Sequence, residues 1–295
     1  MKTLRDIGEN GLLRGILPRL PQRADTLVGP GDDCAVVRVP GSSDDWLFTT
    51  DPVIEHRHFL PETPARLVGR KAIARAVSDV AAMGGTPLWI LVDLVAPAST
   101  PLARIRGLYD GLIAAAKKWN LGILGGDTAE GDVLELHITG VGRLPRGAAV
   151  LRSGARTGDL VYVTGALGGA YLPGRRHHLL FEPRLEAGRF LAEKKFATAM
   201  MDLSDGLAAD LPRLLDASNR GVRLEAAAIP LSRAARKTKQ PLHHALCDGE
   251  DFELLFTVSP KNRARFAAAW QRAFPKLSAV CIGEILADPK RRCLH

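Results

Sequence analysis

The fold is decided by residues 89–127, which read WILVDLVAPASTPLARIRGLYDGLIAAAKKWNLGILGGD. Trp89–Val95 is a strongly apolar run and predicts a buried strand. Thr100-Pro101 predicts the start of a helix, with Thr as N-cap and Pro at the first helical position, and the apolar residues that follow keep a helical period. The chain then returns to a strand, Leu121–Leu124, which leads directly into Gly125-Gly126-Asp127. This order of strand, helix and strand indicates an α/β protein.

Further elements are predicted on both sides of this unit. In the first half we expect strands at Val36–Val39, Leu47–Thr50 and Leu134–Val141, and a helix at Pro64–Met83. In the second half we expect strands at Leu160–Val163, Val222–Ala226, Phe252–Val258 and Ala279–Ile285, and helices at Leu185–Lys195, Leu207–Ser218 and Pro260–Phe274. Residues 146–158 are rich in Gly and Arg and predict a domain junction. We therefore expect an α+β protein made of two α/β halves, with domains at residues 1–147 and 148–295.

The composition is that of an ordinary globular protein. The chain has 295 residues, of which 46% are hydrophobic and 24% charged, and this length favours two domains over one. No apolar run reaches the length of about 18 residues that a membrane span needs. The N-terminal residues lack the apolar core of a signal peptide. We therefore expect a cytoplasmic protein that does not span a membrane.

Charge and cysteines exclude several other classes. The net charge is +8, but the densest basic groups, 175–178 and 290–292, are short and carry no aromatic ladder, which favours a solvated surface over nucleic-acid binding. An excess of positive charge would also suit anionic phosphate substrates. The four cysteines form no C-x-x-C pair, so neither a zinc ribbon nor a redox motif is indicated. For Cys34 a buried neighbour of the site is favoured over a reactive thiol.

Six acidic clusters are spread along this basic chain, each flanked by Gly, Ser or Thr. Carboxylates beside small residues are what hard divalent cations require, because Mg²⁺ takes oxygen ligands and shares them with phosphate and water. The pattern predicts a nucleotide or phosphate site assembled around several metal ions. The clusters are Gly31-Asp32-Asp33, Thr49-Thr50-Asp51, Ser78-Asp79, Gly125-Gly126-Asp127-Thr128, Asp202-Leu203-Ser204-Asp205-Gly206 and Asp248-Gly249-Glu250-Asp251.

Each cluster alone also has a purely structural interpretation. Asp32 and Asp33 fit an Asx turn, and Ser204 or Asp205 fits the N-cap of the following helix. Asp79 follows Arg75 by four residues, so a helical ion pair is about as well supported as a ligand role. The joint occurrence of the clusters favours the metal interpretation. No P-loop motif is present, and Gly165–Gly169 fails the dinucleotide fingerprint.

These residues carry a resemblance to a known family. The chain resembles thiamine-monophosphate kinases, within the superfamily that includes aminoimidazole ribonucleotide synthetase and selenophosphate synthetase. The resemblance covers nearly the whole chain, and its most specific parts are the runs 78–84 and 202–207. The matching segments are 31–35, Thr49-Thr50-Asp51 with Glu55 and His58-Phe59, 71–84, 125–128, 152–155 with Gly158-Asp159, 202–207, 249–254 and Ile282-Gly283.

The resemblance implies transfer of the γ-phosphoryl group of ATP to thiamine monophosphate, with Mg²⁺ as cofactor. It also implies a homodimer in which the N-terminal halves, which bind ATP and Mg²⁺, form a shared barrel-like β core, while the C-terminal half is an α/β sandwich. His58 and Glu250 would contact thiamine monophosphate, and Gly126, Arg152 and Ser204 would contact ATP. The implied metal ligands are Asp33, Thr49, Thr50, Asp51, Asp79, Asp127, Asp202 and Asp205, among which Asp51, Asp127 and Asp205 are the implied catalytic residues.

Three departures from the family pattern leave alternatives open. Ala76 stands where members usually carry Asn, and the His-x-x-Pro-x-Pro-Arg segment is reduced to His178, Pro183 and Arg184. The C-terminal aromatic that stacks on the thiamine ring in the family has no counterpart in the last residues, 292–295. The alternatives are an ATP-using relative with a different small acceptor, and a non-catalytic nucleotide-binding paralogue.

Overall fold

The computed structural model describes residues 3–295, except the side chains of Glu9 and Asn10. The first half begins with a helix and then builds one six-stranded sheet with two further helices. Its helices are α1 (Leu4–Ile16), α2 (Ala65–Ala82) and α3 (Leu102–Lys118), and its strands are β1 (Thr26–Val28), β2 (Ala35–Val37), β3 (Asp44–Ile54), β4 (Thr86–Ala96), β5 (Gly122–Glu130) and β6 (Glu135–Pro145).

This sheet has the order β1-β2-β3-β6-β4-β5. β4 and β5 are parallel and are joined by α3, so the strand–helix–strand unit expected from residues 89–127 is confirmed. α2 and α3 cover one face of the sheet, where residues such as Ile73, Leu112 and Ile138 are fully buried. On the opposite face the rings of Trp46 and Trp89 stack at 5.6 Å.

The second half builds another six-stranded sheet, of order β12-β9-β11-β7-β10-β8. Its helices are α4 (His177–Leu180), α5 (Leu185–Glu193), α6 (Leu207–Ser218), α7 (Pro241–Cys247) and α8 (Arg263–Ala273), and its strands are β7 (Leu160–Thr164), β8 (Ala197–Asp202), β9 (Gly221–Leu224), β10 (Leu254–Val258), β11 (Ala279–Leu286) and β12 (Arg292–Leu294).

Helices cover both faces of this second sheet, because alternate residues of its strands are apolar on both sides. Val161 and Val163 of β7 pack in the cluster that contains Leu214 of α6. Tyr162, between them, packs in the cluster that contains Phe266 of α8 and Leu191 of α5. This half therefore contains two hydrophobic layers, one on each side of the sheet.

The two halves meet where α2 crosses α5. Gly188 of α5 lies against the backbone of Ala81, and a Cβ atom at this glycine would come within 2.0 Å of the Ala81 carbonyl oxygen. Because only glycine allows this approach, the contact holds α2 close to the second sheet. α2 therefore touches both halves, and it carries residues of the candidate site.

The structure confirms a mixed α/β fold with two sheets. Six helices and strands were not predicted: helices α1, α4 and α7 and strands β1, β8 and β12. The first sheet, as described over residues 3–295, is open and ends in β1 and β5, so the chain closes no barrel within itself. Over the same residues, the helices are too short or too polar to cross a membrane.

Candidate active site

Three carboxylates from three separate elements converge between the two halves. Asp33 ends the turn before β2, Asp79 lies near the end of α2, and Asp202 is the last residue of β8. One carboxylate oxygen from each lies within 4.8 Å of the others. Asp33 and Asp202 are buried, and Asp79 is half-buried. We call Asp33, Asp79 and Asp202 the carboxylate triad.

Hydrogen bonds fix the orientation of the carboxylate triad. Oγ1 of Thr49 donates to Oδ2 of Asp79 at 2.5 Å, and Oγ of Ser78 donates to Oδ2 of Asp202 at 2.5 Å. The guanidinium of Arg152 donates to Oδ1 of Asp33 at 2.7 Å. The second oxygen of Asp33 is buried and has no protein partner among the described residues. An oriented, buried and unpartnered carboxylate oxygen is suited to a metal ion.

The electrostatics of the carboxylate triad also favour a cation. Burial raises the pKa of all three carboxyls above the usual value, and well above it for Asp79 and Asp202. The negative charge of Asp202 adds to this effect at Asp79, and that of Asp33 adds to it at Asp202. Only Arg152 forms an ion pair with a triad member within residues 3–295. A bound Mg²⁺ ion would offset the repulsion between these three carboxylates.

A second group of charges lies on the same face of α2. Nε and Nη2 of Arg75 each donate at 2.8 Å to an oxygen of Asp51, and Nη1 donates at 2.9 Å to Oε1 of Glu250. Nζ of Lys71, which is fully buried, lies 2.6 Å from Oε2 of Glu250 and donates to the carbonyl oxygen of His58 at 2.8 Å. Arg75 therefore pairs with Asp51 and Glu250 and forms no helical ion pair with Asp79.

His58 is held in one neutral form. Its Nδ1 accepts a 2.9 Å hydrogen bond from the backbone N–H of Ile54, so the ring proton lies on Nε2. Burial, and then the positive charge of Arg75, lower the pKa of His58 to about 4. The ring is therefore uncharged near neutral pH, with an N–H group available as a donor.

The loop around Asp205 is organised by a later residue of α6. Oδ2 of Asp210 accepts the backbone N–H groups of Asp205 (2.9 Å) and Gly206 (3.1 Å). Arg213 bridges the carboxylates of Asp205, at 2.7 Å, and Asp210, at 2.6 Å. The helix N-cap is Gly206, with φ of 100°, so neither Ser204 nor Asp205 caps the helix by its side chain.

Ser204 and Glu250 belong to two loops that are hydrogen-bonded to each other. The backbone N–H of Glu250 donates to the carbonyl oxygen of Ser204 at 2.7 Å. Glu250 and Phe252 have φ of 56° and 50°, in the left-handed region that costs a non-glycine residue free energy. This conformation, which directs Glu250 toward Lys71 and Arg75, is thus retained at a cost in stability.

The structure does not bring Asp127 to the carboxylate triad of its own chain. In the first sheet, Asp127 of β5 pairs with Asp93 of β4, which pairs with His137 of β6, which pairs with Pro52 of β3. Three strand spacings therefore separate Asp127 from the neighbour of Asp51, about 14 Å. Gly126 precedes it, with φ of 153°, and a Cβ atom there would meet the Val92 carbonyl oxygen at 1.8 Å.

Thr50 is separated from Thr49 by the pleat of β3. Thr49 faces α2 and donates to Asp79, and Asp51 also faces α2 and binds Arg75. Thr50 lies between them in the strand and is exposed on the opposite face. Of the predicted ligands, Thr50 and Asp127 therefore lie outside the interior site of this chain.

Sequence reasoning missed Lys71, Arg75 and Tyr171 as site residues. Lys71 and Arg75 lie four residues apart, and Asp79 follows after four more, so all three share one face of α2. This spacing was visible in the sequence. Tyr171 lies in a cleft of about 580 Å³ that is also lined by His58 and His178, and its ring stacks on His178 at 4.8 Å. No sequence pattern predicted an aromatic residue in the site at Tyr171.

Comparisons with known proteins agree with this architecture. The family model for the N-terminal domain of AIR synthase related proteins matches residues 31–144, and the model for their C-terminal domain matches residues 156–294. A thiamine-monophosphate kinase of Rhodopirellula baltica is 42% identical over 85% of this chain and 81% of its own length. That of Escherichia coli K12 is 34% identical, over 97% and 93%.

Solved structures show the same similarity. A structure described as AaThiL complexed with AMPPCP and TMP has a TM-score of 0.85 and 30% identity, covering 100% of this chain and 95% of that one. A thiamine-monophosphate kinase from Stenotrophomonas maltophilia has a TM-score of 0.77 and 31% identity, covering 98% and 96%.

Proposed function

Because the chain belongs to the thiamine-monophosphate kinase family of AIR synthase related proteins, we propose that it transfers the γ-phosphoryl group of ATP to thiamine monophosphate and so forms thiamine diphosphate. The observation that carries this proposal is the carboxylate triad, whose oxygens lie within 4.8 Å of one another between the two halves. A relative solved in complex with AMPPCP and TMP supports the choice of both substrates.

The reaction hardly requires a general base. The acceptor is a phosphate oxygen that is already ionised, so the protein has to bring two polyanions together and neutralise charge spread over the phosphoryl oxygens. Mg²⁺, when bound, supplies much of that neutralisation. Thr49, Ser78 and Arg152 orient the carboxylates that would hold the metal. Other residues of this chain supply hydrogen-bond donors to the acceptor.

The assignment of individual residues follows the two groups of charges. Asp33, Asp79 and Asp202 would hold Mg²⁺, with Thr49, Asp51 and Asp205 beside them. The carboxylate of Asp51 has about four acceptor positions, so its two hydrogen bonds to Arg75 leave room for an ion. Gly126, Arg152 and Ser204 would contact ATP. Thr50 and Asp127 would contribute only at a subunit interface.

The acceptor would occupy the cleft beside His58 and Glu250. Nε2 of His58 can donate to a phosphate oxygen because Nδ1 is already an acceptor. Tyr171 is 48% exposed in this cleft, and its ring can face the positively charged thiazolium of thiamine. An aromatic residue of this chain is therefore available for the ring-stacking role that the family assigns to a C-terminal aromatic.

A homodimer is supported by two open edges of the first sheet. β2 covers only Trp46–Phe48 of β3, so within residues 3–295 the edge of residues 49–54 carries no strand on that side. β5 ends the sheet, and its residues 124–130 are exposed. If β5 of a second copy paired along residues 49–54, the strands β3, β6, β4 and β5 of both subunits would close a barrel. Asp127 of the partner subunit would then lie beside Asp51 and Thr50.

Two further proposals concern organisation. Domains at residues 1–147 and 148–295 are supported by the two sheets and by the two family models, which match 31–144 and 156–294. Cytoplasmic localisation stays a prediction.

Acceptor specificity tests the proposed function. ADP release is measured with ATP and Mg²⁺ in the presence of thiamine monophosphate, thiamine, or other small phosphorylated acceptors. We expect release only with thiamine monophosphate. Release with another acceptor alone would favour a divergent relative, and ATP binding without release would favour a non-catalytic paralogue.

A further inference from the structure

Arg75 has unused hydrogen-bonding capacity at the centre of the site. A guanidinium has five N–H groups, and three of those of Arg75 are bound to Asp51 and Glu250. The hydrogen bonds described for residues 3–295 give the other two no acceptor. The side chain is 13% exposed, so part of it is open to a ligand.

The guanidinium is held rigidly. The ring of Phe252 lies 5.6 Å from its central carbon, and the two parallel bonds to Asp51 fix its plane. Asp51 belongs to the first half and Glu250 to the second, so Arg75 spans the junction of the halves. A group fixed in this way loses little conformational entropy when it binds a ligand.

The charges around Arg75 differ from those at the carboxylate triad. Asp51 and Glu250 are balanced by Arg75 and Lys71, at distances of 2.6–2.9 Å. The carboxylate triad has Arg152 alone. A negative phosphate that enters beside Arg75 therefore meets a charge-balanced group, while the excess of carboxylates lies one helical turn away, at Asp79.

We propose that Arg75 binds the phosphate of the acceptor directly, through its two remaining N–H groups, and so is a further substrate-binding residue of this site. A guanidinium matches phosphate geometry and forms charge-assisted hydrogen bonds to its oxygens. Its neighbours fit this role, since Glu250 pairs with Arg75 and Lys71 links Glu250 to the backbone of His58. The inference rests on the proposed function, because it takes thiamine monophosphate as the acceptor.

The test compares two ligands that differ only by the phosphate. Dissociation constants of thiamine monophosphate and of thiamine are measured by calorimetry, with Mg²⁺ and AMPPCP present, for the wild-type protein and for Arg75→Gln. We expect the variant to bind thiamine monophosphate about 10- to 100-fold more weakly, and to bind thiamine as the wild type does. Arg223→Gln, which removes an exposed arginine paired with Glu284, is the control and should change neither constant.

The outcomes separate this inference from the proposed function. If the wild type binds thiamine monophosphate and Arg75→Gln binds it equally well, or loses both ligands equally, Arg75 has only a structural role and the inference is wrong. If the wild type itself does not bind thiamine monophosphate, the proposed function fails first. Should Arg75→Gln not fold, Arg75→Lys keeps the positive charge but lacks the paired N–H donors of a guanidinium. It is expected to weaken only the binding of the phosphorylated ligand, by about 10-fold. Equal affinity in that variant would overturn the inference.

Discussion

The hydroxyl of Ser78 and the carboxylate of Asp202 are joined by a 2.5 Å hydrogen bond that crosses from the first half of the chain to the second. Ser78 lies on α2 directly before Asp79, so one turn of helix supplies both a carboxylate of the triad and the donor that orients another. The position of Asp202 relative to Asp79 is therefore set by a single helix.

Ser78→Ala is expected to destabilise the protein. The change removes the donor from a buried carboxylate and leaves an unsatisfied acceptor, which costs about 1–3 kcal/mol. Urea unfolding in EDTA measures the loss in free energy of unfolding. Ser43→Ala, at an exposed position, is the control. Equal unfolding free energies for the two variants would show that the bond to Asp202 contributes nothing.

Asp79→Asn is expected to stabilise the metal-free protein and to abolish its response to Mg²⁺. In the absence of metal, the change removes one of three neighbouring like charges; burial, and then the charge of Asp202, raise the pKa of Asp79. The wild type should gain free energy of unfolding on addition of Mg²⁺, about 2.7 kcal/mol at 100 times its dissociation constant. Thermal unfolding with and without Mg²⁺ measures both effects. A variant that still gains stability with Mg²⁺ would show that the triad does not bind the ion.

Asp127→Asn and Asp205→Asn are each expected to lower phosphoryl transfer by roughly 10²–10³-fold, or more, with the fold retained. Both side chains are exposed, so their loss should not unfold the chain. Steady-state kinetics with circular dichroism measures both properties. Near-normal kinetics for the two variants would rule out their place in the metal site.

Mixing two inactive variants tests whether Asp127 acts across a dimer. When Asp127→Asn and Asp202→Asn are unfolded together and refolded, half of the dimers would be mixed, and each mixed dimer would have one intact site. About a quarter of wild-type activity should therefore return. If Asp127 served its own chain, every site would carry a substitution and the mixture would stay inactive.

The raised pKa of Asp251 predicts a loss of stability as the pH rises. Burial, only partly opposed by the hydrogen bond from the Gly168 N–H, raises the pKa of Asp251 to about 8. Between pH 4, near the pKa of the unfolded chain, and pH 8, Asp251 is protonated in the folded state and ionised in the unfolded state. Its contribution to the free energy of unfolding therefore falls by up to about 1.4 kcal/mol for each unit of pH increase. Asp251→Asn should remove this slope between pH 5 and 8. Urea unfolding at several pH values measures it, and parallel slopes for variant and wild type would contradict the assignment.

Much of the fold follows from local sequence. The apolar run of Trp89–Val95 and the glycines before Asp127 predict the parallel pair β4 and β5, because a helix of the right length lies between them. Strand β8 was missed, because Thr198 is the one β-branched residue among its residues 197–202. Its position is decided by pairing with β10, which is a tertiary effect.

The sequence predicted which acidic residues belong to the site better than it predicted how they are arranged in space. The acidic clusters flanked by Gly, Ser or Thr identified Asp33, Asp79 and Asp202, and the structure brings these three together. The same pattern identified Asp127, which the sheet holds about three strands away from β3 within one chain. Whether strands of different subunits meet is not encoded in local spacing. The buried ion pairs of Arg75 and Lys71 depend on contacts between distant segments, Asp51 and Glu250, that no local pattern shows.

The formation of thiamine diphosphate tests the central claim most directly. Purified protein is incubated with ATP, Mg²⁺ and thiamine monophosphate, and the products are separated and identified by phosphorus NMR. We predict equal amounts of ADP and thiamine diphosphate, and no product when EDTA removes the metal. Binding of ATP without thiamine diphosphate, in the presence of Mg²⁺, would contradict the account.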